Sequence, residues 1–186
     1  MQKMKNAILA LVALVLAGCA SSAPQAQFIQ PLAPSSLTRA NDNAKVALEA
    51  APGITMMDYE KARLTERLQA QLDSKKLLNT ATGDKKEYEV NVIITRYEKG
   101  DAFARAMLAG LGQIHLDGTI KVCVLPAHEQ VGEFTVNKTF AWGGLYGAST
   151  TIEDAELGFV EGVTDALKGA TDVPPQKQAA SGNAAH

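Results

Sequence analysis

Residues 87–97, EYEVNVIITRY, decide the fold. Tyr88, Val90, Val92 and Ile94 fall on one side of an extended chain, and Glu89, Asn91 and Thr95 on the other. That period-two pattern marks a strand with one buried face. Residues 114–124, IHLDGTIKVCV, repeat it. Ile114, Leu116, Ile120, Val122 and Val124 oppose His115, Asp117, Thr119, Lys121 and Cys123. Gly118 interrupts the apolar side, which predicts a bend or bulge, and Pro126 ends the strand. Residues 130–142 place Phe134, Val136 and Phe140 together, against Glu133, Thr135, Asn137 and Thr139.

Upstream, Val46 and Leu48 alternate with polar neighbours, so Lys45–Ala50 reads as a strand, and Pro52-Gly53 as a turn. Thr55 and Asp58 have the spacing of a capping box. Met57, Leu64, Leu68 and Leu72 follow at helical intervals, which predicts an amphipathic helix over Met56–Ser74. Thr151 and Asp154 form a second capping-box pattern. It opens a helix striped by Ile152, Ala155, Phe159, Val163 and Ala166, with Gly169 as its C-cap. The expected architecture is α+β: a two-layer sandwich of about four mostly antiparallel strands with two helices on one face. The other sheet face would be polar and wet.

The N-terminus differs in kind. Lys3 and Lys5 precede an uncharged, mostly apolar run ending at Gly18. This is a secretory signal layout, too short to span a bilayer, which takes about 20 apolar residues. Leu16-Ala17-Gly18-Cys19 resembles the lipobox of bacterial lipoproteins. That resemblance implies cleavage after residue 18 and lipid on Cys19, its durability coming from several acyl chains. Ala20 and Ser21, rather than an aspartate, follow the cysteine, which implies the outer membrane, periplasm-facing. Residues 1–18 are then a signal peptide and 19–43, rich in Ala, Ser, Pro and Gln, a flexible tether. Residues 44–170 form the domain, and 171–186 a disordered tail. Cys123 is left without an intramolecular thiol partner and reads as a small half-buried strand residue.

Few functions fit what remains. A net charge of −2 does not make a nucleic-acid footprint. His115, His128 and His186 are scattered, and no H-x-x-x-H or C-x-x-C spacing suggests a metal. Gly143-Gly144-Leu145-Tyr146-Gly147 lies between a strand and a helix but lacks the lysine of a phosphate loop. No cofactor, metal or catalytic set is expected.

Two glycine-containing connections stand out: Gly100–Gly112, GDAFARAMLAGLG, and Gly143–Ser149, GGLYGAS. Ala102, Ala106 and Gly110 have small-xxx-small spacing, as do Gly158 and Gly162, which lets backbones approach closely. Packing of the first stretch on the final helix or on another chain, and contact with the membrane, are all compatible with this; the stretch is too short to span a bilayer, and Asp101 and Arg105 argue against deep insertion. Phe103, Met107, Leu108, Leu111, Trp142 and Tyr146 are the candidate partner or assembly surface. The partner would be an envelope protein or a second copy, beside the membrane itself through the lipid.

Residues 44–169 resemble bacterial envelope lipoproteins classed only as a domain of unknown function. The resemblance rests on Tyr88–Arg96, the segment ending Gly110-Leu111-Gly112, the strand Leu116–Val124, and Gly143–Ser149. It implies a non-catalytic binding or assembly role in the cell envelope. The alternative is a periplasmic carrier or sensor of a lipid-like apolar ligand, with Met56, Met57 and Met107 lining an adaptable pocket.

Overall fold

The computed structural model describes residues 24–33, 38–80, 83–108, 111–141 and 144–168. The expected signal peptide, Cys19, Gly110, Trp142, Gly143, Gly169 and the expected C-terminal tail lie outside the described residues. In chain order the elements are β1 (Gln25–Gln30), β2 (Asn43–Ala50), α1 (Asp58–Lys76), β3 (Glu87–Glu98), α2 (Ala102–Met107), β4 (Ile114–Leu125), β5 (Glu129–Phe140), α3 (Gly144–Ser149) and α4 (Ile152–Lys168).

The α+β class stands, but among the described residues the sheet has five strands, ordered β1-β5-β4-β3-β2, and four helices accompany it. The pairing is mixed. β2 runs parallel to β3, and the remaining neighbours are antiparallel. Parallel neighbours need a crossover, and α1 supplies it. The added strand, β1, places Gln25–Gln30, read as part of a tether, in the sheet. Its sequence QAQFIQ lacks a clean alternation, with glutamines at three of six positions, and at the sheet edge Phe28 and Ile29 stay exposed. Ala26 lies opposite Val136 and Phe28 opposite Phe134, whose rings are 5.3 Å apart.

The long helices cover one sheet face. Leu64, Leu68 and Leu72 of α1 are buried, as are Ile152, Ala155, Phe159, Val163 and Ala166 of α4. Beneath them lie Val90, Val92, Ile94, Ile120, Val122, Phe134 and Val136. Each fully buried Leu or Phe contributes about 1.5–3 kcal/mol. Opposite, His115, Asp117, Thr119, Lys121 and Cys123 are half-buried on the polar face.

The α1 boundary shifts from the expected one. Met57, not Thr55, is the N-cap, and its backbone N–H donates to Glu60 Oε2 at 2.9 Å. Met57 is consequently exposed rather than part of the apolar stripe. The second box is made by the expected pair: Thr151 N–H donates to Asp154 Oδ2 at 2.8 Å.

The irregularity expected at Gly118 falls on its neighbour. The β3–β4 register slips between Ile94 and Arg96, opposite Gly118 and Asp117, which leaves Thr95 as the extra residue. The slip brings Tyr97, three residues after Ile94, back to the buried side. Gly118 has a packing role instead: a Cβ there would lie 2.8 Å from Cζ of Phe159. Gly118→Ala should therefore destabilise the protein by about 1–3 kcal/mol through overpacking. Urea unfolding reads this, and an unchanged midpoint would show that the Phe159 ring has room to move.

Candidate functional site

The register places both glycine-containing connections at one end of the sheet. Glu98 lies opposite His115, and Ile114 opposite Phe140, so the β3–β4 and β5–α4 connections leave side by side. The first is pinched at its neck. Asp101 N–H donates to Gly112 O at 3.2 Å, and Gly100 and Gly112 have φ of +65° and +69°, a left-handed conformation that glycine adopts without penalty. Between them Asp101 caps α2, its Oδ1 accepting from Ala104 N–H at 2.6 Å. Leu111 N–H closes the following turn on Leu108 O at 3.1 Å.

Arg105 joins the two connections. It is 4% exposed. Its Nη1 donates to Gly112 O at 2.7 Å and to Lys99 O at 3.5 Å. Its Nε donates to Gly147 O and its Nη2 to Thr150 O, each at 2.8 Å. Among the described residues these acceptors are backbone carbonyls. A buried guanidinium is tolerated when its donors are satisfied, and its planar fork suits several fixed oxygens. In sequence, a lone arginine carries no signal of the carbonyls that will surround it.

With Arg105 turned inward, the apolar side chains of this platform face out. Phe103 is 72% exposed, Met107 67%, Leu108 50% and Leu111 56%. Phe103 and Met107, four residues apart, share a helix face. Tyr146 belongs to α3, described by its backbone, and Trp142 lies outside the described residues. Among the described residues, the alternative of packing against Gly158 and Gly162 is not the one taken. α2 packs on α3, while Gly158 makes room for Lys138 and Gly162 for Pro24 and Val136. Lys138 shares the buried face of β5, and burial lowers its pKa.

Two other polar clusters are built differently. Glu156 of α4 is fully buried. It accepts from Arg63 Nε at 2.9 Å and Nη2 at 2.7 Å, from Arg67 Nη1 at 2.8 Å, and from Tyr97 Oη at 2.8 Å. Burial and this bond to Glu156 hold the Tyr97 phenol far above its ordinary pKa. Glu60 pairs with Lys99 Nζ at 2.7 Å. Burial pushes its carboxyl up, but Lys99 and the Met57 N–H outweigh this and lower its pKa. On the polar face, His115 Nδ1 lies 3.0 Å from Thr139 Oγ1, and burial raises the pKa of neighbouring Asp117. Among the described residues no group of His, Cys, Asp or Glu has the arrangement of a metal site, and no helix is long and apolar enough to cross a membrane.

Fold and platform together define a small α+β domain with an apolar loop surface at one sheet end. The chain belongs to the family DUF4410, a domain of unknown function, which matches residues 29–144. Among solved structures it is similar to the PelC dodecamer from Paraburkholderia phytofirmans, with 11% identity over 78% of this chain and 97% of that one, at a TM-score of 0.52. It is also similar to protein XCC0632 of Xanthomonas campestris, of family DUF330, at 14% identity, 76% and 90% coverage and a TM-score of 0.42. A candidate lipoprotein from Caulobacter crescentus matches at 17% identity, 69% and 93% coverage and a TM-score of 0.36. At 11% identity the likeness to the PelC structure is one of fold alone. No curated protein matches the chain.

If Arg105 holds the platform together, Arg105→Met should loosen it locally. Amide hydrogen exchange at residues 101–108 and 147–151 is expected to accelerate by at least about tenfold, with Ile120 and Val122 unaffected. Unchanged exchange in both connections would remove the clamp from the account.

Proposed function

We propose that this chain is a lipid-anchored protein of the bacterial outer membrane, facing the periplasm, with a non-catalytic binding or assembly role exercised through the platform. The observation that carries the reading is the exposure of Phe103, Met107, Leu108 and Leu111 on a connection held rigid from within by Arg105. Contiguous exposed apolar side chains mark contact surfaces. A mobile loop would lose entropy on binding, whereas a clamped one is preorganised. The lipobox-like Leu16–Cys19 supports the anchor. The engagement of Glu156 and Glu60 in ion pairs supports a role without acid–base chemistry.

The runner-up, a carrier of a lipid-like ligand, would gather Met56, Met57 and Met107 around one cavity. Met56 is buried in the core, whereas Met57 and Met107 are exposed, so the three do not share a lining.

Two measurements test the proposal. Cys19→Ala should move the protein from the membrane fraction to the soluble periplasmic fraction, and persistent membrane association would sink the anchor. In a Cys123→Ala background, a thiol at position 107 (Met107→Cys) should react slowly with a bulky maleimide in native membranes. It should react quickly once Cys19→Ala has released the chain, while a thiol at position 127 (Ala127→Cys) reacts equally in both. Equal reactivity at position 107 in the two forms would show that the platform makes no contact in the envelope.

A further inference from the structure

Resting on the reading of Cys19 as the lipidated residue, we infer that the platform's occupant is the lipid bilayer itself: Phe103, Met107, Leu108 and Leu111 lie in the membrane interface. The domain starts its sheet at β1, and Pro24 just before it packs over Gly162, where a Cβ would come within 2.7 Å of the proline ring. Five residue steps separate Cys19 from Pro24. At 3.3–3.6 Å per step the acylated residue lies no farther than about 18 Å from Pro24.

The register says which end of the sheet that radius includes. Gln25 lies opposite Asn137, three residues short of the end of β5 at Phe140 and eight residues beyond its start at Glu129. At about 3.4 Å per residue the platform end is about 10 Å away, within reach, and the turn at residues 126–128 about 27 Å away, out of reach. The anchor therefore turns the platform end toward the bilayer. It leaves about 8 Å of slack beyond the strand ends, less than the roughly 10 Å width of one helix. The chain's own α2 connection, which lies beyond the strand ends, already fills that gap and leaves no depth for a protein layer between it and the bilayer.

The chemistry of the connection agrees. Arg105, the one charged residue of α2, is buried, and the outward side chains are apolar. Asp101 and Lys99 stand at the neck, Asp101 capping α2 and Lys99 paired with Glu60. A short apolar protrusion above a polar neck suits immersion to the headgroup–acyl boundary and no deeper.

The test uses the full mature lipidated chain in vesicles of phosphatidylethanolamine and phosphatidylglycerol, with no other protein present. An environment-sensitive fluorophore is placed at position 107 (Met107→Cys) or 111 (Leu111→Cys) in the Cys123→Ala background, with position 127 (Ala127→Cys) as control. Brominated acyl chains should quench the probes at 107 and 111 several-fold more strongly than the probe at 127. Equal quenching at all three positions, in protein that floats with the vesicles, overturns the inference. If position 107 is protected in native membranes yet unquenched in vesicles, an envelope protein or a second copy covers the platform. In that case the lipid inference falls and the contact reading stands. If position 107 is open in both settings, both fall.

Discussion

The buried carboxylate of Glu156 ties the two layers of this domain together. A charge removed from water must be fully paired, and here the partners come from separate elements: Arg63 and Arg67 from α1, Tyr97 from β3. Arg63 also reaches Glu153, one turn earlier on α4, at 3.1 Å. These contacts set the spacing of the helices, which apolar packing alone leaves adjustable. They depend in turn on the slip at Thr95, because only that extra residue returns Tyr97 to the buried side.

A second buried charge organises the end of the sheet. Arg105 is satisfied by backbone carbonyls rather than by a carboxylate, so its partners are segments of chain whose course it fixes. The consequence reaches the surface. With the polar member of α2 turned inward, its neighbours have no interior left to occupy and stand exposed. The outward side of α2 is apolar because its one charge is structural.

The strand edges show a related economy. β2 lies at the edge of the sheet, where free backbone groups invite pairing with another chain. The Gln69 side chain from α1 occupies two of them, accepting from Val46 N–H at 3.0 Å and donating to Ala44 O at 2.9 Å. The opposite edge, β1, draws the start of the domain to within a few residues of Cys19.

Periodic features were legible without the structure. The faces of β3, β4 and β5, the stripe of α4 and the cap at Thr151 follow from side-chain spacing, because burial repeats with the backbone period. The lipobox-like N-terminus and the scattered histidines likewise need only the order of residues. β1 was not legible, since a glutamine-rich edge strand is specified by its neighbour more than by its own hydrophobicity. Nor was the pairing of α2 with α3 in place of α4, which depends on which strand ends lie adjacent. The candidate surface divides the same way: Phe103, Met107, Leu108 and Leu111 stand out by composition, but their exposure follows from where Arg105 points. The sequence alone determined which residues could be buried together. Tertiary structure decided which charges went in with them, because a buried arginine or glutamate is permitted only by partners brought from distant parts of the chain.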